Sequence, residues 1–365
     1  VSAAQIATLR ADFEQHAREY CARSPLYGEI CRAVASDDET LALMLHAPAH
    51  QRRPTLLQAA IHDLLLAGAD HELATHVPTV AAGRGASGAA GPLALRFCRE
   101  HRDALAHTLA TRSTQTNEVN RAAALLPALV DAVPRGRRMR LVELGASAGL
   151  NLLLDGFDYR YGDRAPLRWP GAPVRGNGSR VVCASAVDGR LPALDAPPPI
   201  AQRIGVDLEP VDLRDPAASR WLLACVWPDE LDRVARLRAA IELALADPPV
   251  VVRGDALALL ASLAGPDGDD LHPVIWHSWV LAYWTPAAQR ALAAAIDELG
   301  ARRDLTWIRL EQPSRTAGLA TPVVPGVDHD PADCALVTVA YRGADRTTRR
   351  PADVHGHAHH MRWFG

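Results

Sequence analysis

Residues 139–154 read Met-Arg-Leu-Val-Glu-Leu-Gly-Ala-Ser-Ala-Gly-Leu-Asn-Leu-Leu-Leu, and they constrain the fold more than any other stretch. An apolar run at 141–144 meets Gly145, Ala146, Ser147, Ala148 and Gly149, and a second apolar run follows. That pattern predicts a buried parallel strand, a tight turn and a helix start. Side chains this small let the backbone approach a ligand closely, and the unbonded N–H groups of a helix's first turn would face that ligand. Glu143 narrows the choice of ligand. A carboxylate two residues before the turn repels a pyrophosphate but pairs with a cationic or hydroxyl-bearing group, so the turn is not expected to cradle phosphate.

A chain of 365 residues with 48% hydrophobic content has room for two domains, or one enlarged domain, around a sizeable core. Its net charge of −3, with both signs interspersed, gives no basic surface for nucleic acid. No apolar run approaches a membrane span and residues 1–6 do not form a secretory leader, so a soluble, cytoplasmic protein with no membrane partner is expected. The six cysteines, Cys21, Cys31, Cys98, Cys183, Cys225 and Cys334, include no Cys-x-x-Cys pair, and the expectation is reduced, buried thiols with no metal. Lysine is absent, which excludes a pyridoxal Schiff base, a P-loop lysine and any lysine nucleophile.

The N-terminal part is helical in pattern. Ile6, Leu9, Phe13, Ala17 and Tyr20 share one helix face across 2–23, and 26–34, 38–45, 54–67 and 92–110 repeat the periodicity. Residues 81–91 are of low complexity and are expected to form a loop. Residues 111–121, Thr-Arg-Ser-Thr-Gln-Thr-Asn-Glu-Val-Asn-Arg, precede an apolar helix at 122–133. Thr116 or Asn117 would cap that helix. Alternatively, Gln115, Asn117, Glu118 and Arg121 form a substrate-reading surface, since one cap does not need so many hydrogen-bonding side chains. Pro134 to Arg138 then marks a boundary.

Glu143-Leu144-Gly145-Ala146-Ser147-Ala148-Gly149 resembles the first motif of class I S-adenosylmethionine-dependent methyltransferases, an acid followed by Gly-x-Gly-x-Gly, with Ser147 in place of the middle glycine. The whole chain also resembles a bacterial family of unknown function that carries this motif behind a helical N-terminal region. The resemblance implies an α/β fold, a Rossmann-like doubly wound, mostly parallel sheet in 139–365, behind an all-helical domain in 1–138. An insertion at about 163–199 is read as a hairpin over the site. It also implies S-adenosylmethionine as cofactor, held by Glu143, Gly145, Ser147, Gly149 and Asn151. The second strand, in 200–213, would offer Asp207 to the ribose hydroxyls, or Asp207 would cap a helix. Its distance from Glu143 exceeds the usual spacing of roughly 20 residues, which the insertion explains. The third strand, in 249–260, would place Asp255 at the adenine amino group.

Residues 272–284 read as the fourth strand and its exit, bordering the position where a doubly wound sheet binds its ligand. His277 and Tyr283 there, with Glu311 at the end of a fifth strand in 305–310, are the candidates for acceptor contact or proton removal; a structural role for His277 is the alternative. The strand lacks the Asn-Pro-Pro-Tyr of many amino-group methyltransferases. That argues against DNA or glutamine-amide acceptors, and with the helical cap and the lack of a basic surface the expected activity is O- or N-methylation of a small molecule. Residues 334–341 and 361–364 are expected to close the sheet as an antiparallel pair, and His355, His357, His359 and His360 would share a strand face without enough supporting ligands for a metal. Two other readings stay open. Residues 145–149 also spell Gly-x-Ser-x-Gly, the nucleophile elbow of α/β-hydrolases, with Ser147, Asp255 and a C-terminal histidine as an esterase triad. The other is a non-catalytic S-adenosylmethionine-binding protein that keeps the fold, and a plain close-packed strand-helix turn is the structural alternative for 145–149.

Overall fold

The computed structural model describes residues 2–19, 21, 24–81, 88–115, 117–163, 167–168, 180–266 and 270–365. Its helices, in chain order, are α1 (Ala3–Glu19), α2 (Pro25–Ala35), α3 (Asp38–Leu43), α4 (Pro54–Leu66), α5 (Ala90–Glu100), α6 (Arg102–Thr111), α7 (Ala122–Ala132), α8 (Pro216–Ala224), α9 (Leu231–Ala246), α10 (Ala256–Ala264) and α11 (Pro286–Gly300). None is long and apolar enough to cross a membrane. The chain forms two compact units, 1–117 with 214–238, and 118–213 with 239–365. The boundary expected at 138/139 thus falls inside the second unit, which contains α7.

The first unit is helical. Ser24 caps α2 by accepting a hydrogen bond from the Tyr27 N–H, and Pro25 occupies the first helical position, where a missing N–H costs nothing. Apolar residues at spacings of three and four then bury one face, so that Phe13, Ile30, Leu41, Met44, Leu56, Leu57 and Phe97 meet in a common core. The single helix expected over 92–110 is two, because the backbone at His101 (φ −108°, ψ 24°) leaves helical geometry between α5 and α6. The low-complexity segment at 82–87 lies outside the described residues.

The second unit is mixed α/β around one ten-stranded, mostly parallel sheet. Its strands are β1 (Met139–Leu144), β2 (Asp158–Tyr161), β3 (Val182–Asp188), β4 (Ile200–Asp207), β5 (Val250–Arg253), β6 (His272–Ser278), β7 (Leu305–Glu311), β8 (Cys334–Arg342), β9 (Asp345–Val354) and β10 (His360–Trp363). They lie in the order β2-β3-β10-β9-β8-β7-β6-β1-β4-β5. From β5 through β4, β1 and β6 to β7 every pairing is parallel, and β8 and β9 are antiparallel. β1 and β7 lie inside the sheet and are buried at every residue, their polar side chains included, while the edge strand β5 leaves Val250 exposed. Register sets Glu143 between Gly205 and Trp276, and Asp207 beside Arg253, so the carboxyl ends of these strands share one edge.

Several expectations change here. No α-helix follows the 145–149 turn: residues Leu150–Gly156 form a short 3₁₀ segment interrupted at Leu153. Leu150, Leu152, Leu153 and Leu154 are all buried, and the non-helical backbone at Leu153 (φ −95°, ψ 16°) keeps the segment from running on as a regular helix. β8 pairs with β9, a strand not expected, and β10 pairs with β9 rather than with β8. The histidines at 355–359 lie in the turn between β9 and β10 and not along a strand. Most of the hairpin expected in the insertion, residues 164–166 and 169–179, lies outside the described residues, but its expected strand is present as β3.

Candidate functional site

The carboxyl edge of β1 is built around Glu143. Its side chain is buried, and its Oε2 has no hydrogen-bond partner among the described residues. Burial pushes this carboxyl well above the usual carboxylate range; the Arg121 charge pulls it down and the Asp207 charge pushes it further up. A buried acceptor left without a donor costs stability; Glu311 Oε2, at the end of β7, is in the same condition.

The turn that follows is locked from within. The N–H groups of Gly145 and Ala146 donate to the Val206 carbonyl at 2.8 and 3.1 Å, and that of Gly149 donates to the Ala146 carbonyl at 2.7 Å. Ser147, at φ 51°, donates its N–H to Asp207 Oδ2 at 2.8 Å. The amides of Gly145, Ala146, Ser147 and Gly149 are therefore bonded to β4 or within the turn itself. The glycines have a packing reason as well. A Cβ on Gly145 would meet Val280 Cγ2 at 2.5 Å, and one on Gly149 would meet Pro249 and Val251 at 2.9 Å. The close approach at these glycines is to neighbouring side chains.

Asp207 holds two amides, Ser147 N–H on Oδ2 and Glu209 N–H on Oδ1 at 2.9 Å. Each carboxylate oxygen still has a second lone pair. Asp255, two residues past β5, caps α10 by accepting from the Ala258 N–H at 2.9 Å. Asn151 donates to the Glu118 carbonyl at 3.3 Å, and its own Oδ1 is buried without a partner among the described residues.

Of the polar run before α7, Glu118 and Arg121 reach this edge, whereas Gln115 and Asn117 belong to the helical unit and bond to each other at 3.4 Å. Glu118 caps the 3₁₀ turn leading into α7, in place of the expected Thr116 or Asn117; Thr116 lies outside the described residues. Its other oxygen pairs with His357 Nδ1 at 3.1 Å. Arg121 donates to the Gly356 carbonyl at 3.1 Å and to Ser278 Oγ at 3.4 Å, and its guanidinium lies 5.6 Å from the Trp279 ring centre. Asn120, not expected to matter, is fully buried: its Nδ2 donates to the carbonyls of Ala184, His357 and Ala358, and its Oδ1 accepts from the Ala184 N–H. The signal was present in the Glu-x-Asn-Arg spacing of 118–121; the turn that these residues clasp was not readable. Arg121→Met is expected to lower the unfolding free energy by roughly 2–4 kcal/mol, since it leaves the carbonyl and hydroxyl partners of a buried charge unpaired; urea titration checks it.

The expected catalytic trio is arranged differently. His277 is 0% exposed, its Nδ1 paired with Glu311 Oε1 at 2.7 Å and its Nε2 accepting from Trp307 Nε1 at 3.1 Å. Both ring nitrogens are spent inside the sheet, so it is not placed to take a proton from a substrate. Glu311 Oε1 also accepts the N–H groups of Val280 and Leu281 at 3.0 and 3.3 Å and thereby fixes the exit of β6. Tyr283 is 70% exposed. Glu311→Leu should cost roughly 2–4 kcal/mol, because it orphans two backbone donors and an imidazole, and denaturant unfolding measures it. A cavity of about 270 Å³ lined by Leu129, Val133, Met139 and Pro199 lies at the opposite, amino-terminal ends of β1 and β4.

The family of uncharacterized proteins conserved in bacteria designated DUF2332 matches residues 10–363, and the chain belongs to that family. No curated protein and no solved structure matches the chain.

Proposed function

We propose that the sheet unit has a Rossmann-like, doubly wound core, binds S-adenosylmethionine at the carboxyl edge of β1 and β4, and methylates an oxygen or nitrogen of a small molecule. The observation that carries the reading is the buried Glu143 with its unpartnered oxygen. The strand order supports it: β4 and β5 lie on one side of β1, β6 and β7 on the other. In doubly wound sheets ligands sit outside the carboxyl ends of the strands at such a reversal. Glu143 would hold the cationic end of the cofactor, Asp207 the ribose hydroxyls through its remaining lone pairs, and Asp255 the adenine amino group. The bound cofactor supplies an activated methyl group. The protein's own part is to align the acceptor and to take up its proton. With His277 enclosed, that second task falls to His357, a partly exposed imidazole paired with Glu118.

Thermal unfolding with S-adenosylhomocysteine tests the reading. At a hundredfold excess over Kd a single site adds about 2.7 kcal/mol, so a saturable rise in melting temperature is expected, lost in Asp207→Ala. A melting temperature that does not respond contradicts it. The positive φ of Ser147 favours a second reading, since an elbow nucleophile sits on such a strained turn. Labelling of Ser147 by a fluorophosphonate, abolished in Ser147→Ala, would support that alternative.

A further inference from the structure

We propose that the helical unit carries a zinc site formed by His16, Cys21 and Cys31. One ring nitrogen of His16 and the two Sγ atoms all lie within 4.8 Å of one another. Tetrahedral zinc with ordinary bonds to nitrogen and thiolate holds its donor atoms about 3.5–3.8 Å apart, so the cluster needs only small side-chain adjustments to close on the ion. His16 comes from the last turn of α1, Cys31 from the middle of α2, and Cys21 from between them. All three are buried, at 9%, 5% and 0% exposure.

The donor set selects the metal. Two thiolates and an imidazole are too soft for magnesium or calcium and suit zinc, which accepts three protein ligands with a fourth position left for another donor. Charge argues the same way, because two thiolates neutralise a dication and the loaded site carries no net charge into the interior.

The surroundings hold the donors as a metal site requires. Gln58, from α4 and 2% exposed, donates its Nε2 to Cys31 Sγ at 3.1 Å. Support of this kind around a ligand orients it and tunes its affinity. The His16 ring packs edge-on against Trp227 at 6.0 Å, and Tyr27 packs on the same indole at 5.8 Å. The spacing His-x4-Cys-x9-Cys matches no zinc motif, which is why the sequence led to buried thiols without a metal.

The test uses the full chain, incubated with zinc under reducing conditions, desalted and assayed by inductively coupled plasma mass spectrometry. About one zinc per chain is expected, retained in Cys98→Ser and lowered at least about tenfold in Cys31→Ser. Gln58→Leu, which keeps every donor, should weaken zinc affinity by about 10–100-fold. Cobalt loading of the unsubstituted chain reads the donors without any mutation, and a tetrahedral spectrum with thiolate charge-transfer absorption is expected. The site is overturned by an unsubstituted chain that retains no zinc, by a cobalt spectrum lacking that absorption, by a Cys21–Cys31 disulfide in the reduced preparation, or by equal zinc loss in Cys98→Ser.

Discussion

Glu143→Gln is expected to stabilise the folded chain at alkaline pH while weakening its hold on a cationic ligand. Burial raises this carboxyl well above its ordinary value of 4.5, against the pull of Arg121. Between 4.5 and the raised value the folded chain keeps a proton that the unfolded chain gives up. Folding is therefore favoured on the acid side, and stability falls as pH rises through that window, by up to about 1.4 kcal/mol per pH unit. Glutamine has no such proton, so the variant gains on the parent across the window and then holds its advantage. Urea unfolding over a pH series reads this, and parallel curves for the two proteins would contradict it. The loss of a charged hydrogen bond, about 1.5–3 kcal/mol, should weaken S-adenosylmethionine binding by roughly 10- to 150-fold.

Gly145→Ala should destabilise the sheet unit strongly. The residue sits at φ 68°, where a side chain costs roughly 1–2 kcal/mol, and the added carbon would stand 2.5 Å from Val280 Cγ2. Overpacking of that kind adds roughly 1–3 kcal/mol, for a total of about 2–5 kcal/mol in denaturant unfolding. The two causes separate in a double-mutant cycle with Val280→Ala, which should recover the overpacking part and leave the backbone part. A Gly145→Ala protein as stable as the parent would show that the turn has more room than its packing implies.

The strands that carry the site were legible because each pairs an apolar run with a turn. β1, β4, β5, β6 and β7 follow that pattern, and Glu143, Asp207 and Glu311 fall at or next to the ends of β1, β4 and β7, with Asp255 just past β5. β2 and β9 were not legible. Asp158–Tyr161 alternates aromatic with charged residues, and Asp345–Val354 begins with so many charges that it reads as a loop; both find their partners only in the assembled sheet. The roles of particular residues depended on contacts that no spacing encodes. Gly145 looked like room for a ligand and is filled by Val280, and His277 looked like a base and is held by Glu311 and Trp307. Asn120 passed unnoticed because the carbonyls it gathers come from β3 and from the turn after β9.

Calorimetric titration of the full chain with S-adenosylmethionine, in two buffers of different ionisation enthalpy, decides whether the carboxyl edge of β1 and β4 holds the cofactor. One saturable site is expected, with proton release as Glu143 ionises against the cation, and with affinity at least about tenfold weaker in both Glu143→Gln and Asp207→Ala. An absence of saturable heat, or binding that neither substitution changes, would contradict it.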